Sequence, residues 1–433
     1  MFEGLASSLD SDEHQGEDNI IGTECPPPGG FYFANETSWC TITPNTTDLD
    51  NVAAYVFHAA DYAPSTMPPR IDRQPFILET QESPLTAPFR TSTEEMKKFD
   101  YLASYHFKSQ FLFPYYGPDL IDVVNRPLPE NFMATKTDRA PILWIARNCQ
   151  ASNARQVYIE ELMKHVKVDS YSYCLNNKPF PDNKTRLELM AEYKFYLAVE
   201  NANCDDYVTE KLFDTFMQSA VPIVDGPQSY DGFIPTNHSV IRMDQYLDPR
   251  DLAAYINYLD SNDTAYLEYL SFRKSATNVY SRQDLEPSFV KNWGNRTLHN
   301  ERSSWCSVCR GVAPLWRSRH DPSFNFVQPD PSERFLTDTS CMTSAKWDYV
   351  ANGPPFIPPW LAKPEKEAPQ ITSEQEPNYE SALVAVTADT TERSSISMMW
   401  ASEAFVCMTF LAFIVWMLYR RRYLPKVRSP SPA

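Results

Sequence analysis

Two basic residues, Arg155 and Lys211, lie where the sequence predicts that a helix begins. The N-terminus of a helix presents unpaired N–H groups and a partial positive charge, and it therefore favours phosphate oxygens. Lys211 would add a full positive charge in the first turn, and Arg155 a guanidinium suited to bidentate phosphate contact. The residues alone predict a nucleoside-diphosphate site, with solvated helix charges as the alternative of equal weight.

Alternating strands and helices are predicted to position these two residues. Short apolar runs predict strands at Ile142–Ala146, 168–171, Phe195–Val199, 221–224 and 240–243. Helices are predicted at 154–166, 209–219 and 249–259, the second with Leu212, Phe213, Phe216 and Met217 facing inward. This alternation is typical of an α/β fold with a parallel sheet, in which ligands bind beyond the carboxyl ends of the strands.

The loops at those carboxyl ends are polar and contain no glycine-rich phosphate loop. Arg147, Asn148 and Arg155 follow the first strand, and residues 200–206 follow the third strand, just before the helix of Lys211. Neither a G-x-G-x-x-G nor a G-x-x-x-x-G-K-[ST] sequence is present. Neither a Rossmann dehydrogenase nor a P-loop NTPase is therefore indicated.

Length and charge limit the classes of protein to consider. At about 150 residues per domain, 433 residues correspond to two or three domains. A net charge of −17 disfavours nucleic-acid binding through a broad basic face, because phosphates would repel such a surface. The 36 prolines exceed the usual share, and a cluster of them in residues 352–395 predicts a Pro/Ser/Thr-rich stalk without a core.

The C-terminal region predicts a membrane span. Residues 404–419 contain no charged side chain, and an apolar extension beyond Glu403 gives a predicted helix at 396–419. A bilayer span needs roughly 17–25 residues. The arginine triplet 420–422 would hold the C-terminus in the cytosol and the preceding chain in a lumen. A buried core helix is the disfavoured alternative, because the basic tail 420–433 fits it poorly.

Two further features favour a lumen. Six N-glycosylation sequons begin at Asn35, Asn45, Asn183, Asn237, Asn262 and Asn295. Eight of nine cysteines precede the predicted span and are expected to form disulfides, whereas zinc binding by Cys306 and Cys309 is disfavoured for lack of a second ligand pair. Residues 1–18 are acidic and predict neither a signal peptide nor an anchor.

Three ordered stretches carry a family resemblance. Residues 193–201, 206–212 and 221–224 (YKFYLAVEN, DYVTEKL and VPIV) closely resemble the signature of the α1,3-fucosyltransferases, glycosyltransferase family 10. The similarity runs from about Trp39 to Cys309. The NCDD sequence that begins at Asn203 and the closing WCSVC most resemble the divergent fucosyltransferase 10 and 11 branch of that family.

The resemblance implies a GT-B fold, with two Rossmann-like domains facing a cleft and GDP-fucose bound in the C-terminal one. It implies that Arg155 and Lys211 neutralise the departing diphosphate, so that no metal or other cofactor is needed. The other positions that match the donor pocket are Asn148, Tyr196, Asn201, Tyr207 and Glu210.

The resemblance also implies a catalytic base in the N-terminal domain. Glu82-Ser-Pro matches the family's E-S-P element, whose Glu takes the proton of the acceptor hydroxyl. Such a hydroxyl has a pKa far above 7, and a nearby carboxylate must accept its proton as the new bond forms. Glu79 is the rival carboxylate, and His106 is a disfavoured third candidate.

The predicted organisation is a poorly ordered segment 1–38, an acceptor-side domain 39–138, a GDP-fucose domain 139–310, an extension and stalk 311–395, the span 396–419 and the tail 420–433. The predicted activity is inverting transfer of L-fucose from GDP-fucose to a glycan, α1,3 to GlcNAc, or to a glycoprotein, in the Golgi or ER lumen. Protein O-fucosylation and a non-catalytic, membrane-tethered binding relative are the alternatives. The second is favoured by an apolar first strand missing from 1–38 and by residues 105–110, which replace an Arg-rich stretch of relatives.

Overall fold

The computed structural model describes most of the chain up to residue 352, within the unit Met1–Ala362. The described residues are 24–25, 40–41, 52–115, 119–137, 140–294, 305–324, 341–342 and 344–352. The predicted stalk beyond 352, the span 396–419 and the tail 420–433 lie outside them. Among the described residues, no helix is long and apolar enough to cross a membrane.

The N-terminal part contains a small ribbon and a parallel sheet. Strands β1 (Glu24–Cys25) and β2 (Cys40–Thr41) pair antiparallel. The sheet has four parallel strands in the order β3-β4-β5-β6, which span Tyr55–His58, Phe76–Thr80, Tyr101–Ser104 and Phe111–Leu112. Helix α1 spans Thr93–Met96 and α2 spans Asp119–Val124, with 3-10 turns at Pro64–Thr66, Pro88–Thr91 and Phe132–Thr135.

The C-terminal part contains a second parallel sheet, in the order β11-β10-β9-β7-β8. Strands β7 to β11 span Ile142–Ala146, Val168–Ser172, Phe195–Val199, Val221–Asp225 and Ile241–Arg242. Helices α3 to α9 span Arg155–Leu162, Arg186–Ala191, Glu210–Met217, Pro249–Ser261, Asp263–Glu268, Pro287–Trp293 and Trp305–His320. Further 3-10 turns lie at Met243–Gln245, Val279–Ser281 and Asp348–Asn352.

Among the described residues, the N-terminal sheet begins with β3 at Tyr55, and nearly all of the segment 1–38 lies outside those residues. The α/β prediction is confirmed, with two local corrections. The helix predicted at 154–166 ends earlier, at Leu162. Its apolar face is buried as expected, with Ile159 and Leu162 in the core. In α5, Phe213 and Met217 are only half-buried, and Asp214 and Thr215 take buried positions instead. Asp214 is buried because it pairs with Arg186 of α4 at 2.5 Å.

Two helices pack against the sheet of the other part of the chain. Helix α2 lies within the predicted domain 39–138, yet Leu120 and Val124 join the core of the C-terminal sheet. Helix α9 begins at Trp305, at the end of the predicted domain 139–310, and it covers the N-terminal sheet with Val308, Val312 and Leu315. The predicted boundaries at 138 and 310 are therefore not the boundaries of the two cores. An apolar stripe shows that a helix packs, but not on which sheet.

Residues beyond 340 also enter the C-terminal core. Trp347 is fully buried and Tyr349 is buried, both within the core around β7, β9 and β10. The predicted extension 311–395 therefore contains helix residues 311–320 and a packed segment up to 352, rather than a tether throughout. A single tryptophan can anchor such a segment because its side chain buries a large apolar area.

Candidate donor-binding site

Arg155 begins α3 and turns its side chain into the sheet. The side chain is 3% exposed, and its guanidinium donates to the carbonyls of Val199, at the end of β9, and of Asn148. The buried Nε of Arg155 has no hydrogen-bond partner. Burial lowers the pKa of this guanidinium from its ordinary value, and the charge of Glu200 opposes that effect. A buried cation with an unused donor is suited to an anion placed beyond the strand ends.

Lys211 lies in the first turn of α5, as predicted, and is held by carboxylates. Its Nζ is 3.1 Å from Glu200 and from Glu210, and it donates to Thr209 Oγ1 at 2.7 Å. Burial lowers the pKa of Lys211, but the two carboxylates outweigh burial and the net shift is upward. Lys211 therefore keeps its positive charge throughout the physiological pH range. Arg155 donates to the carbonyl of Val199 and Lys211 pairs with the next residue, Glu200, so the structure brings the two predicted cations together.

The remaining predicted donor residues lie around this pair. Tyr196 is buried in β9, and its hydroxyl is 3.5 Å from the carbonyl oxygen of Ile145. Asn201 is half-buried, and its buried Oδ1 has no partner. Asn148 is exposed, and its Oδ1 accepts the N–H of Gln150. The structure thus gathers Arg155, Lys211, Glu210 and Tyr196 near the end of β9 and leaves Asn148 at the surface.

Glu82 follows β4 of the N-terminal sheet. Through Tyr207 it contacts the loop between β9 and α5, residues 200–209, which is called the donor loop below. The hydroxyl of Tyr207 donates to Glu82 Oε2 at 3.1 Å. Burial raises the pKa of Tyr207 well above its usual value, with a further contribution from Tyr115 and Glu82, so Tyr207 remains a donor. Tyr115 fixes the turn before Glu82 by donating to the carbonyl of Gln81 at 2.6 Å. The two sheets therefore meet where a carboxylate and the donor motif are in contact.

His106 has a role in docking the two sheets. Its Nδ1 lies 3.0 Å from Asp206 Oδ2, and the same carboxylate oxygen accepts the N–H of Phe107 at 3.0 Å. His106 is 3% exposed. Asp206 directly precedes Tyr207, and its positive φ of 59° turns the donor loop at this point. These contacts position Tyr207, which argues against His106 as the catalytic base.

The carboxylate of Glu79, the alternative candidate to Glu82, is paired with a histidine. Glu79 is buried in β4, and its Oε2 lies 2.7 Å from His58 Nδ1 at the end of β3. Glu82 is exposed and therefore accessible to an acceptor from solvent. The geometry favours Glu82 as the proton acceptor and gives Glu79 a structural role.

We expect the His58–Glu79 pair to make stability depend on pH. The hydrogen bond to Glu79 raises the pKa of His58 above 6.5. A group whose pKa is raised on folding stabilises the protein fully below its unfolded pKa and loses that contribution as the pH rises through the folded pKa. The Tm advantage of the wild type over His58→Asn should be largest below pH 6.5 and disappear at alkaline pH. An equal difference at about pH 5.5 and about pH 9 would show that the pair does not titrate.

Two residues that hold the site together were not predicted from the sequence. Glu200 is 1% exposed and accepts the N–H and hydroxyl of Thr209 at 2.8 and 2.9 Å as well as the Lys211 ion pair. Asn153 donates to the carbonyl of Glu200 at 2.9 Å and accepts the N–H of Arg155. Glu200 could have been singled out because it is a charged residue directly after the all-apolar β9. Nothing in the sequence singled out Asn153, apart from its place in the loop after β7.

Cysteines tie the same loops. Cys149 bonds Cys174, which joins the loop after β7 to the loop after β8. Cys204 bonds Cys341 across 137 residues of chain, and Cys309 is also disulfide-bonded. The disulfide prediction is confirmed for these residues. No group of three or more His, Cys, Asp or Glu residues with metal-site geometry occurs in the described part of the chain.

Comparison with known sequence families decides the relationship of the chain. A profile described as "Fucosyltransferase, N-terminal" matches residues 28–116, and one described as "Glycosyltransferase family 10 (fucosyltransferase) C-term" matches residues 134–321. Together the two matches cover more than half of the chain. The chain belongs to glycosyltransferase family 10. The N-terminal match contains Glu82, and the C-terminal match contains all seven predicted donor residues.

Individual relatives are more distant. The chain is 28% identical over 297 residues to "GDP-fucose protein O-fucosyltransferase 3" of Xenopus laevis, which covers 64% of this chain and 63% of the relative. It is 30% identical over 292 residues to the protein of the same name from Gallus gallus, with 63% and 61% covered. The chain thus spans less than two thirds of the length of these relatives. A solved structure titled "Crystal Structure of alpha1,3-Fucosyltransferase with GDP" aligns with 17% identity and a TM-score of 0.39, over 57% of this chain and 75% of that one.

Proposed function

We propose that this protein is an inverting fucosyltransferase that transfers L-fucose from GDP-fucose to an acceptor hydroxyl. The observation that carries the proposal is the contact between Glu82, from the N-terminal sheet, and Tyr207, in the donor motif of the C-terminal sheet. It supports a GT-B arrangement in which one sheet supplies the base and the other binds the donor. Membership of family 10 supports GDP-fucose as that donor.

In the proposed reaction, the acceptor oxygen attacks the anomeric carbon of fucose from the face opposite GDP. The carbon–oxygen bond to the β-phosphate breaks, and its electron pair leaves with GDP. The acceptor proton moves to Glu82, whose carboxylate is aligned by Tyr207. One carbon–oxygen bond forms as another breaks, so the configuration at the anomeric carbon inverts.

The leaving diphosphate gains negative charge during this reaction, and Arg155 and Lys211 are proposed to stabilise it. Both are cations at the end of β9, and Arg155 has an unpaired buried donor. Preorganised charges in a site shielded from water stabilise developing charge more strongly than mobile ions in solvent. These residues therefore supply the neutralisation for which other transferases use a metal ion.

The acceptor is proposed to be a hydroxyl of a protein. The relatives from Xenopus laevis and Gallus gallus are named as protein O-fucosyltransferases, which favours a Ser or Thr side chain over the GlcNAc of a glycan. Exposure of Glu82 agrees with a large acceptor approaching from solvent. An array that contains folded secreted domains, peptides and GlcNAc-terminated glycans distinguishes these acceptors in one assay.

We expect GDP-fucose and GDP to raise the Tm of the purified protein, and UDP-sugars to leave it unchanged, because a ligand that binds only the folded state stabilises it.

With an acceptor present, GDP release should continue in excess EDTA, since Arg155 and Lys211 neutralise the diphosphate. Loss of turnover in EDTA that Mn²⁺ restores would contradict metal independence. GDP-fucose binding without turnover on any acceptor would favour the non-catalytic alternative.

We further propose that these residues work in the lumen of the Golgi or ER, tethered by the predicted span 396–419. The disulfides Cys149–Cys174 and Cys204–Cys341 support an oxidising compartment. The sequon residue Asn183 is exposed, as N-glycosylation requires. Protein from secretory cells should shift on gels after removal of N-glycans, and Asn183→Gln should reduce that shift. An unshifted wild type would contradict luminal placement.

A further inference from the structure

We propose that a segment beyond the family 10 match positions both donor-binding loops. This segment, defined here as the strap, comprises residues 341–342 and 344–352 and lies after the matched residues 134–321. The two loops follow β7 and β9 and lead to Arg155 and to Lys211. The inference rests on the proposed function, because it assigns the strap a role in binding the GDP part of the donor.

The first connection is to the loop after β9. Cys341 is bonded to Cys204, which is fully buried in that loop. The next residue, Met342, donates its N–H to the carbonyl of Asn203 at 2.7 Å. A disulfide and a backbone hydrogen bond thus hold adjacent residues of the loop. They fix the chain just before Asp206 and Tyr207, which contact the N-terminal sheet.

The second connection is a buried ion pair behind the same loop. Lys346 Nζ lies 2.5 Å from Asp225 Oδ1, and the two side chains are 4% and 1% exposed. Asp225 Oδ2 accepts from Trp347 Nε1 at 2.8 Å and from Asn203 Nδ2 at 3.1 Å. The carbonyl of Asp225 accepts the N–H of Glu200 at 2.7 Å. The strap therefore supports Asp225, and Asp225 supports both ends of the segment 200–203.

The third connection is to the loop after β7. The strap residues Ala345 and Trp347 donate their N–H groups to the carbonyls of Ser152 at 2.6 Å and Asn153 at 3.0 Å. The indole of Trp347 also packs edge-on against Tyr158 of α3, with ring centroids 4.6 Å apart. These contacts lie within a few residues of Arg155. One segment therefore holds the loops that carry both of the cations proposed to bind diphosphate.

This arrangement makes Lys346 and Trp347 positioning residues rather than catalytic ones. The strap contacts backbone groups and supporting side chains rather than the two cations. Asn153, which the strap holds, accepts the N–H of Arg155, and Asp225, which the strap also holds, accepts the N–H of Glu200, the ion-pair partner of Lys211. Binding of a diphosphate requires both cations to be fixed before the ligand arrives, because ordering them on binding would reduce affinity. Loss of a strap contact should therefore weaken nucleotide binding more than it affects an acceptor bound on the other sheet.

The test measures GDP affinity by calorimetry, together with KM for GDP-fucose and for the acceptor, in Lys346→Met and Lys346→Arg. Removal of a buried charged partner should weaken GDP binding and raise the KM for GDP-fucose by about tenfold. The acceptor KM should stay within about twofold, since Glu82 lies on the other sheet. Lys346→Arg keeps the charge and should recover most of the affinity.

Lys274→Met is the matched control, because its ion pair with Asp284 contacts neither donor loop. If Lys346→Met fails to fold, the paired variant Asp225→Asn/Lys346→Met removes both charges, and Trp347→Phe removes the indole N–H that Asp225 accepts while keeping an aromatic ring, although a smaller one. A folded strap variant that binds GDP like the control would overturn the inference while leaving the proposed function intact. A wild type that binds no GDP would overturn the proposed function, and this inference with it.

Discussion

Glu82→Gln is expected to abolish fucosyl transfer while leaving GDP-fucose binding unchanged. The amide is close in shape to the carboxylate, and its oxygen can still accept the Tyr207 hydroxyl that lies 3.1 Å from Glu82 in the wild type. It cannot take the acceptor proton, and loss of a positioned base typically lowers kcat by about 10²–10⁴-fold. Initial rates of GDP release with a saturating acceptor, together with a GDP-fucose titration of the same protein, measure both effects.

Glu79→Gln is the matched control, three residues earlier in the chain. It removes the His58 partner, 2.7 Å away, so it should lower Tm at acidic pH but leave kcat within about threefold of wild type. The pair of variants separates chemistry from stability. Substantial turnover by Glu82→Gln would overturn its assignment as the base, and a kcat loss confined to Glu79→Gln would assign the base to Glu79 instead.

Much of the donor side follows from local sequence pattern. β7 and β9 have the predicted bounds because five consecutive apolar residues form a strand that is buried on both faces. The loop that follows such a strand must lie at the carboxyl edge of the sheet, and the first turn of the next helix is therefore fixed as well. Lys211 and Arg155 lie where that reasoning places them.

The rest depends on contacts between residues far apart in the chain. The pairing of Cys204 with Cys341 and of Asp225 with Lys346 spans more than a hundred residues. No periodicity within a segment specifies such a partner. The same limit applies to helix α9, which the sequence did not predict and which packs on the N-terminal sheet through Val308, Val312 and Leu315.

Glu82 is intermediate between these cases. The Ser-Pro turn that follows it is a weak local signal, and only its contact with Tyr207 connects it to the donor motif. That contact depends on how the two sheets meet, through His106 and Asp206 among others. A single sequence therefore indicates a carboxylate of the right type, and the tertiary structure shows which of Glu79 and Glu82 is accessible.

Lys211→Met is expected to lower kcat/KM for GDP-fucose by about 10³-fold, near the upper end for loss of one preorganised electrostatic contact. The variant removes the positive charge of Lys211, which is proposed to stabilise the leaving diphosphate. It also leaves Glu200, which is 1% exposed, with Thr209 as its remaining described donor, and this should lower Tm as well. Steady-state kinetics and thermal unfolding in the absence of nucleotide measure the two effects separately.

The double variant Glu200→Gln/Lys211→Met separates charge stabilisation from structural damage. Glutamine keeps an oxygen that can accept from Thr209 but carries no charge, so the unpaired buried carboxylate is removed and Tm should recover. Transfer should not recover, because the cation opposite the diphosphate is still missing. Lys164→Met, which breaks only an exposed pair with Glu161, controls for loss of a lysine and should leave kcat/KM unchanged. If the double variant regained turnover within about tenfold of wild type, Lys211 would be a partner for Glu200 alone, and Arg155 would be left to neutralise the diphosphate.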